Sequence, residues 1–141
     1  MKVINAKGLI MGRLASYVAK DLLAGETIAV VNVSDAIVSG TLSQEVSRLN
    51  SLKHQKNKMN PENSPKYPRV PHLMFKRVVR GMLPKKNSRG RDALHRLRAY
   101  PGIPANVDAT NAITFANIAK KPLRATTLGA VCRAFSYGVK E

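Results

Sequence analysis

Thr27-Ile28-Ala29-Val30-Val31-Asn32-Val33 is a near-continuous run of β-branched residues. It lacks polar alternation, so it reads as a strand buried on both faces, as in a parallel sheet. Upstream, Val3-Ile4-Asn5-Ala6 is a second short strand, closed by Lys7-Gly8. Between the two, Leu14, Ala15, Val18, Ala19, Leu22 and Leu23 recur on one face at helical spacing. Gly25 stands where a helix C-terminal glycine belongs. Strand, helix and strand in about thirty residues make a βαβ unit, which predicts an α/β fold. Downstream, Thr41-x-x-Gln44 fits a capping box, and Leu42, Val46, Leu49 and Leu52 form the stripe of a second helix.

The whole chain has 141 residues, a length that predicts one domain over residues 1–141. Its 44% hydrophobic content argues against a disordered polycation. A single cysteine, Cys132, excludes an internal disulfide framework and multi-cysteine zinc sites. No apolar run approaches the roughly 18 residues of a membrane span, and no apolar signal region follows Met1. The expected setting is intracellular and reducing, away from membranes. Tryptophan is absent and aromatics are 5%, so extensive base stacking on aromatic platforms is not expected.

Charge is the strongest functional signal. The formal net charge is +16, from 24 Lys and Arg against 8 Asp and Glu. Residues 1–52 carry five cations and four acids, and residues 99–141 carry five and two. Residues 53–98 carry fourteen cations against only Glu62 and Asp92. Solvating lysines would be spread more evenly, so this block points to a polyanion, nucleic acid first. A basic arm, residues 53–98, is thus expected on the α/β core.

Within that block, Pro61, Pro65, Pro68 and Pro71 make Asn57 to Pro71 a long extended loop. Met74, Phe75, Val78, Val79 and Met82 then repeat like a helix face, with Lys76, Arg77 and Arg80 opposite and Pro84 as the stop. Asn87-Ser88-Arg89-Gly90 reads as a turn. Arg91 to Arg98 reads as helix, with Ala93, Leu94 and Leu97 inward and Arg91, His95 and Arg98 outward. Further on, 111–116 is a weak strand candidate. Leu128, Val131, Cys132 and Phe135 mark a last helix, capped by Thr126 or Thr127 and followed by Gly138.

Catalytic chemistry is poorly supported. Gly8-Leu9-Ile10-Met11-Gly12-Arg13 lies between strand and helix, where backbone N–H groups can hold phosphate. Its spacing fails both the mononucleotide and the dinucleotide patterns, leaving a βα turn that offers Lys7 or Arg13 to a phosphate. His54, His72 and His95 are scattered and have no close carboxylate, so no metal site is expected. Cys132 falls on an apolar stripe and reads as a buried hydrophobe. Asp35 alone is placed like an active-site residue of an open sheet. A small nucleotide-binding enzyme using Gly8–Arg13 and Asp35 stays open as an alternative, as does a free-standing regulatory RNA- or DNA-binding protein.

Arg80-Gly81-Met82-Leu83-Pro84-Lys85-Lys86 with Arg89-Gly90-Arg91 is the most distinctive stretch. Its glycines would let backbone approach closely, and five cations surround them, which suits a convoluted phosphate surface. Taken with Val3–Gly8, Gly12-Arg13-Leu14-Ala15-Ser16, Val30–Val33 before Ser39-Gly40, Leu97–Pro104 and Leu128-Gly129, it resembles the large-subunit ribosomal protein L-thirteen family. Gly102-Ile103-Pro104 stands where bacterial members carry a His-Pro-His stretch, and the long eukaryotic C-terminal extension is lacking, so the resemblance is to the archaeal branch. The resemblance implies a three-layer α/β/α domain with a four-stranded, mainly parallel sheet. It implies a cytoplasmic, ribosomal, structural role in early large-subunit assembly, bound to large-subunit rRNA beside other ribosomal proteins. No catalytic residue, cofactor, metal or small-molecule substrate is implied. Arg80, Lys85, Lys86, Arg89 and Arg91 are the implied RNA contacts. The charge block adds Lys53, Lys56, Lys58, Lys66, Arg69, Lys76, Arg77, Arg96 and Arg98 as candidates.

Overall fold

The structure is a computed structural model and describes residues 1–107, 112–115 and 122–135. Strand β1 (Lys2–Asn5), helix α1 (Met11–Leu23) and strand β2 (Ile28–Val31) form the expected βαβ unit. All four β2 residues are fully buried, as the β-branched run requires. The strand is shorter than 27–33 because Asn32 turns into the left-handed region at φ 56° and a 3₁₀ turn follows over Val33–Asp35. Asparagine tolerates that conformation better than most residues.

The third parallel strand comes from inside the basic segment. β4 (Leu97–Ala99) pairs with β2 in register Ile28↔Leu97, while β1 lies on the other side of β2 in register Lys2↔Ile28. The order is β1-β2-β4. This corrects the helix expected over 91–98. Helix α4 is Ser88–His95, and the chain then extends, burying Leu97 and Ala99 while Arg98 stays exposed. Ile113 forms a parallel bridge to Ile4, on the free edge of β1. Of the rest of the weak strand candidate, Ala112, Thr114 and Phe115 are not in a strand, and Asn111 and Ala116 lie outside the described residues, as does Gly138. Strands β3 (Ile37–Ser39) and β5 (Ala125–Thr127), which the sequence reading missed, form a separate antiparallel pair. The described parallel sheet therefore has three strands.

Alternation along β2 divides the interior. Ile28 and Val30 enter the main core with Leu14, Val18, Leu22, Phe75, Val79 and Leu97. Ala29 and Val31 face a smaller cluster with Val107, against which Val3 and Tyr100 pack. Helix α2 (Leu42–His54) starts at the expected box, the Thr41 N–H donating to Gln44 Oε1 at 3.4 Å. Its stripe is only half covered, since Leu49 is buried and Leu42 is exposed. Helix α3 (Pro71–Met82) opens on a proline that needs no hydrogen bond there and ends before Pro84. Helix α5 (Leu128–Ala134) is capped by Thr127, whose hydroxyl accepts from the Ala130 N–H at 3.3 Å.

Candidate nucleic-acid interface

α3 and α4 bury Met74, Phe75, Val79 and Ala93 and present cations on their outer sides. Both helices pack against α1. The short connection between them is fixed by a close approach. A Cβ built on Gly90 would stand 2.0 Å from the Pro84 carbonyl oxygen, so only glycine fits. Asn87-Ser88-Arg89-Gly90 is thus not a free turn: Asn87 is the N-cap, and the other three residues are the first turn of α4. Gly81 is different, because a Cβ there would meet nothing within 4 Å. Packing among the described residues does not require it.

A concave groove of about 420 Å³ opens between α3, α4 and β4. Lys76, Arg77, Arg80, His95 and Arg98 line it, with Pro68, Leu73 and Leu94 as apolar walls, and among the described residues no acid takes part. Arg80 also belongs to an adjoining recess with Lys85 and Arg91 around Pro84 and Gly90. Lys76 is half-buried. Burial, and then the Arg98 charge, pull its amine below the ordinary lysine value. His72, one turn earlier, is held below the usual imidazole range by burial and by Lys76. Among the described residues its buried Nδ1 has no hydrogen-bond partner.

Among the described residues none of the fourteen cations of 53–98 is in an ion pair; the pairs present are Lys2 with Asp21 and Glu26, and Arg48 with Glu45. Four of the fourteen contact the protein in other ways. Arg89 Nη2 donates to the Leu23 carbonyl at 3.2 Å and Arg96 Nη2 to the Leu22 carbonyl at 2.8 Å. Both therefore satisfy the C-terminal carbonyls of α1, where a cation also meets the negative end of the helix dipole. Arg77 donates to the Lys66 carbonyl at 2.7 Å and lies over the Tyr67 ring at 3.9 Å, tying the proline-rich loop to α3. Lys53 stands over the Phe135 ring at 5.7 Å. Lys56, Lys58, Lys66 and Arg69 project from the exposed loop, and Lys86 is exposed beside Lys85.

Lys7 and Arg13 are exposed at the β1–α1 turn and line neither the groove nor the recess. That turn serves the fold. Gly8 takes a positive φ of 73°, its N–H donates to the Asp35 carbonyl, and the Leu9 carbonyl accepts from Ile37. Cys132 is fully buried, its thiol pushed up to about 11 by desolvation, with Sγ 3.2 Å from Met74 Sδ. A thiol of that kind is no nucleophile at neutral pH. Among the described residues no three His, Cys, Asp or Glu side chains could hold a metal ion. No described helix is long and apolar enough to cross a membrane. The reading along the chain missed Leu73 as a groove wall. The available signal is its position off the Met74, Phe75, Val78 and Val79 stripe, and it is 43% exposed.

Fold and face together define a small α/β domain whose outer helices carry a polycationic surface with no internal counterions among the described residues. The chain belongs to the ribosomal protein L13 family, whose model, described as "Ribosomal protein L13", matches residues 1–106. It is similar to "Large ribosomal subunit protein uL13" of Methanosarcina barkeri, 44% identical over 118 residues covering 83% of this chain and 82% of that protein. The protein of the same description from Methanopyrus kandleri is 49% identical over 113 residues, 77% of this chain and 67% of its own. That of Aeropyrum pernix is 41% identical over 138 residues, 96% and 89%. Family membership gives the chain a structural, non-enzymatic role and sets the nucleotide-binding enzyme aside.

Proposed function

We propose that this chain is a structural constituent of the large ribosomal subunit in the cytoplasm, that it binds large-subunit rRNA through residues 53–98, and that it supports early subunit assembly beside neighbouring large-subunit proteins. One observation carries the reading. Fourteen cations gather in one segment, and among the described residues no carboxylate neutralises any of them. Such a surface gains affinity by displacing counterions from phosphates. The contacting set comprises Lys76, Arg80, Lys85, Lys86, Arg91 and Arg98 on the helices and β4, with Lys53, Lys56, Lys58, Lys66 and Arg69 around the loop. Arg89 and Arg96 hold that surface in place, and Arg77 both ties the loop to α3 and lines the groove. Shape and the 2′-hydroxyls select RNA over DNA.

The finer architecture belongs to the same reading. The Asn5 N–H donates to the Ile113 carbonyl and the Ile113 N–H to the Val3 carbonyl, which supports a fourth strand beside β1. The apolar face of Ala29 and Val31 supports a layer on the far side of the sheet. Co-sedimentation tests the function. Tagged protein is expected in large subunits at native salt; a chain that never enters them overturns the proposal.

A further inference from the structure

Phosphate contact alone does not account for the groove between α3, α4 and β4. A duplex presents its phosphates on a convex outer surface and can be met by cations on an open face. Here the cations stand at a concavity that also has apolar walls. Leu73 remains 43% exposed at its edge, although α3 has a buried stripe available for apolar residues. The volume, about 420 Å³, is that of a small-ligand cleft, which runs to roughly 300–1,000 Å³. Arg98 is close enough to Lys76 to disfavour the ammonium charge there, and among the described residues no carboxylate lines the groove to relieve it. Two cations held together in this way are stabilised by an anion placed between them. The Arg77 guanidinium, which also lines the groove, is already held over the Tyr67 ring. A fixed guanidinium plane is a stacking surface for a base.

We infer that this groove receives a single extruded nucleotide of the bound RNA, its phosphate at Lys76, Arg80 and Arg98 and its base against Leu73, Leu94 and Arg77. The inference rests on the RNA-binding reading above and adds the form of RNA recognised. It accords with the low aromatic content, because one base against aliphatic walls and an arginine plane needs no aromatic platform.

The test compares two labelled RNA hairpins of equal length, one fully paired and one with a single unpaired adenosine, by fluorescence anisotropy over a salt series. The bulged hairpin is expected to bind about tenfold tighter, the scale of one well-stacked base. Leu73→Asn, at an exposed site that leaves the fold intact, should bring the two affinities together without changing the salt slope. Equal binding of both hairpins by the unaltered protein, with a steep salt slope, overturns the nucleotide site and leaves RNA binding standing. Failure to bind either hairpin overturns RNA binding and the inference with it. Free AMP offers the same phosphate and base. If it binds as tightly as the bulged hairpin, the occupant is a free mononucleotide and the inference is overturned.

Discussion

Residues 1–52 and residues 53–98 handle their cations differently. In residues 1–52, five cations meet four acids, and every described ion pair of the molecule falls there. Lys2 joins the start of β1 to Asp21 in α1 and to Glu26 beyond it. In residues 53–98, the cations pair with no acid among the described residues, and their observed contacts are to backbone carbonyls or aromatic rings. Charge in the first region serves the fold. Charge in the second is left uncompensated, which weakens the free protein slightly and gives a bound polyanion correspondingly more to stabilise.

The largest effect that could break this contrast is on RNA affinity. Replacing Lys76, Arg80, Lys85, Arg91 and Arg98 together with Ala should lower the slope of log affinity against log salt by about 0.7–0.9 per lost phosphate contact. The combined change is roughly three to four units if most of the five touch phosphate. Replacing Lys2, Lys7, Lys20 and Arg48 instead should leave the slope nearly unchanged. Equal losses in the two variants would mean that affinity follows net charge, not the face formed by α3, α4 and β4.

Next in size is the pair of signature glycines. Gly90→Ala forces a methyl group into the Pro84 carbonyl, and overpacking against backbone costs about 1–3 kcal/mol. Gly81→Ala has open space in a helix and should stabilise by about 0.5–1 kcal/mol. Urea unfolding of both variants checks this. If Gly81→Ala also weakens RNA binding while raising stability, the glycine serves the partner and not the fold.

These two glycines show what was legible beforehand. The βαβ unit could be read because its signals are local: β-branched residues at 27–33 and helical spacing from Leu14 to Leu23. β4 could not. Three residues, Leu97-Arg98-Ala99, are too few to separate a period of two from one of 3.6, and Leu94 and Leu97 also sit at helical spacing. Strands β3 and β5 pair across some eighty-odd residues of chain, so neither signals the other locally. The location of the basic face was visible as a simple excess of cations. Its division of labour was not. The carbonyls that engage Arg89 and Arg96 lie 66 and 74 residues away, and nothing in the spacing separates those two arginines from Arg91 or Arg98.

Arg96 provides a test of that division. Arg96→Met removes the donor to Leu22 at the end of α1 and keeps much of the apolar stem. Loss of a charged hydrogen bond to a partly buried carbonyl should cost about 1.5–3 kcal/mol. The salt slope for RNA should not move. A slope that falls by a full contact, with stability unchanged, would place Arg96 on RNA instead of on α1.

The smallest effects carry opposite signs in the two regions. Lys2 has its amine raised above the ordinary value of 10.5, first by its hydrogen bond to Asp21. The folded state therefore holds that proton more tightly than the unfolded chain does. Its stabilisation is complete below about pH 10.5 and fades as pH rises through the raised value. Lys76 has its amine lowered, first by burial and then by Arg98. Here the unfolded chain holds the proton more tightly, so the penalty is complete at neutral pH and disappears as pH rises from the lowered value towards 10.5. Lys2→Gln should then lower the urea midpoint at pH 7, by the roughly 0.2–1 kcal/mol of a partly exposed ion pair, and less so at high salt. Lys76→Gln should raise the midpoint at pH 7 while weakening RNA binding, and its advantage should vanish near pH 10.5. Midpoints measured for both variants against the unaltered protein at pH 7 and pH 10.5 decide the matter. Shifts of the same sign at pH 7 would mean that the two regions handle charge alike.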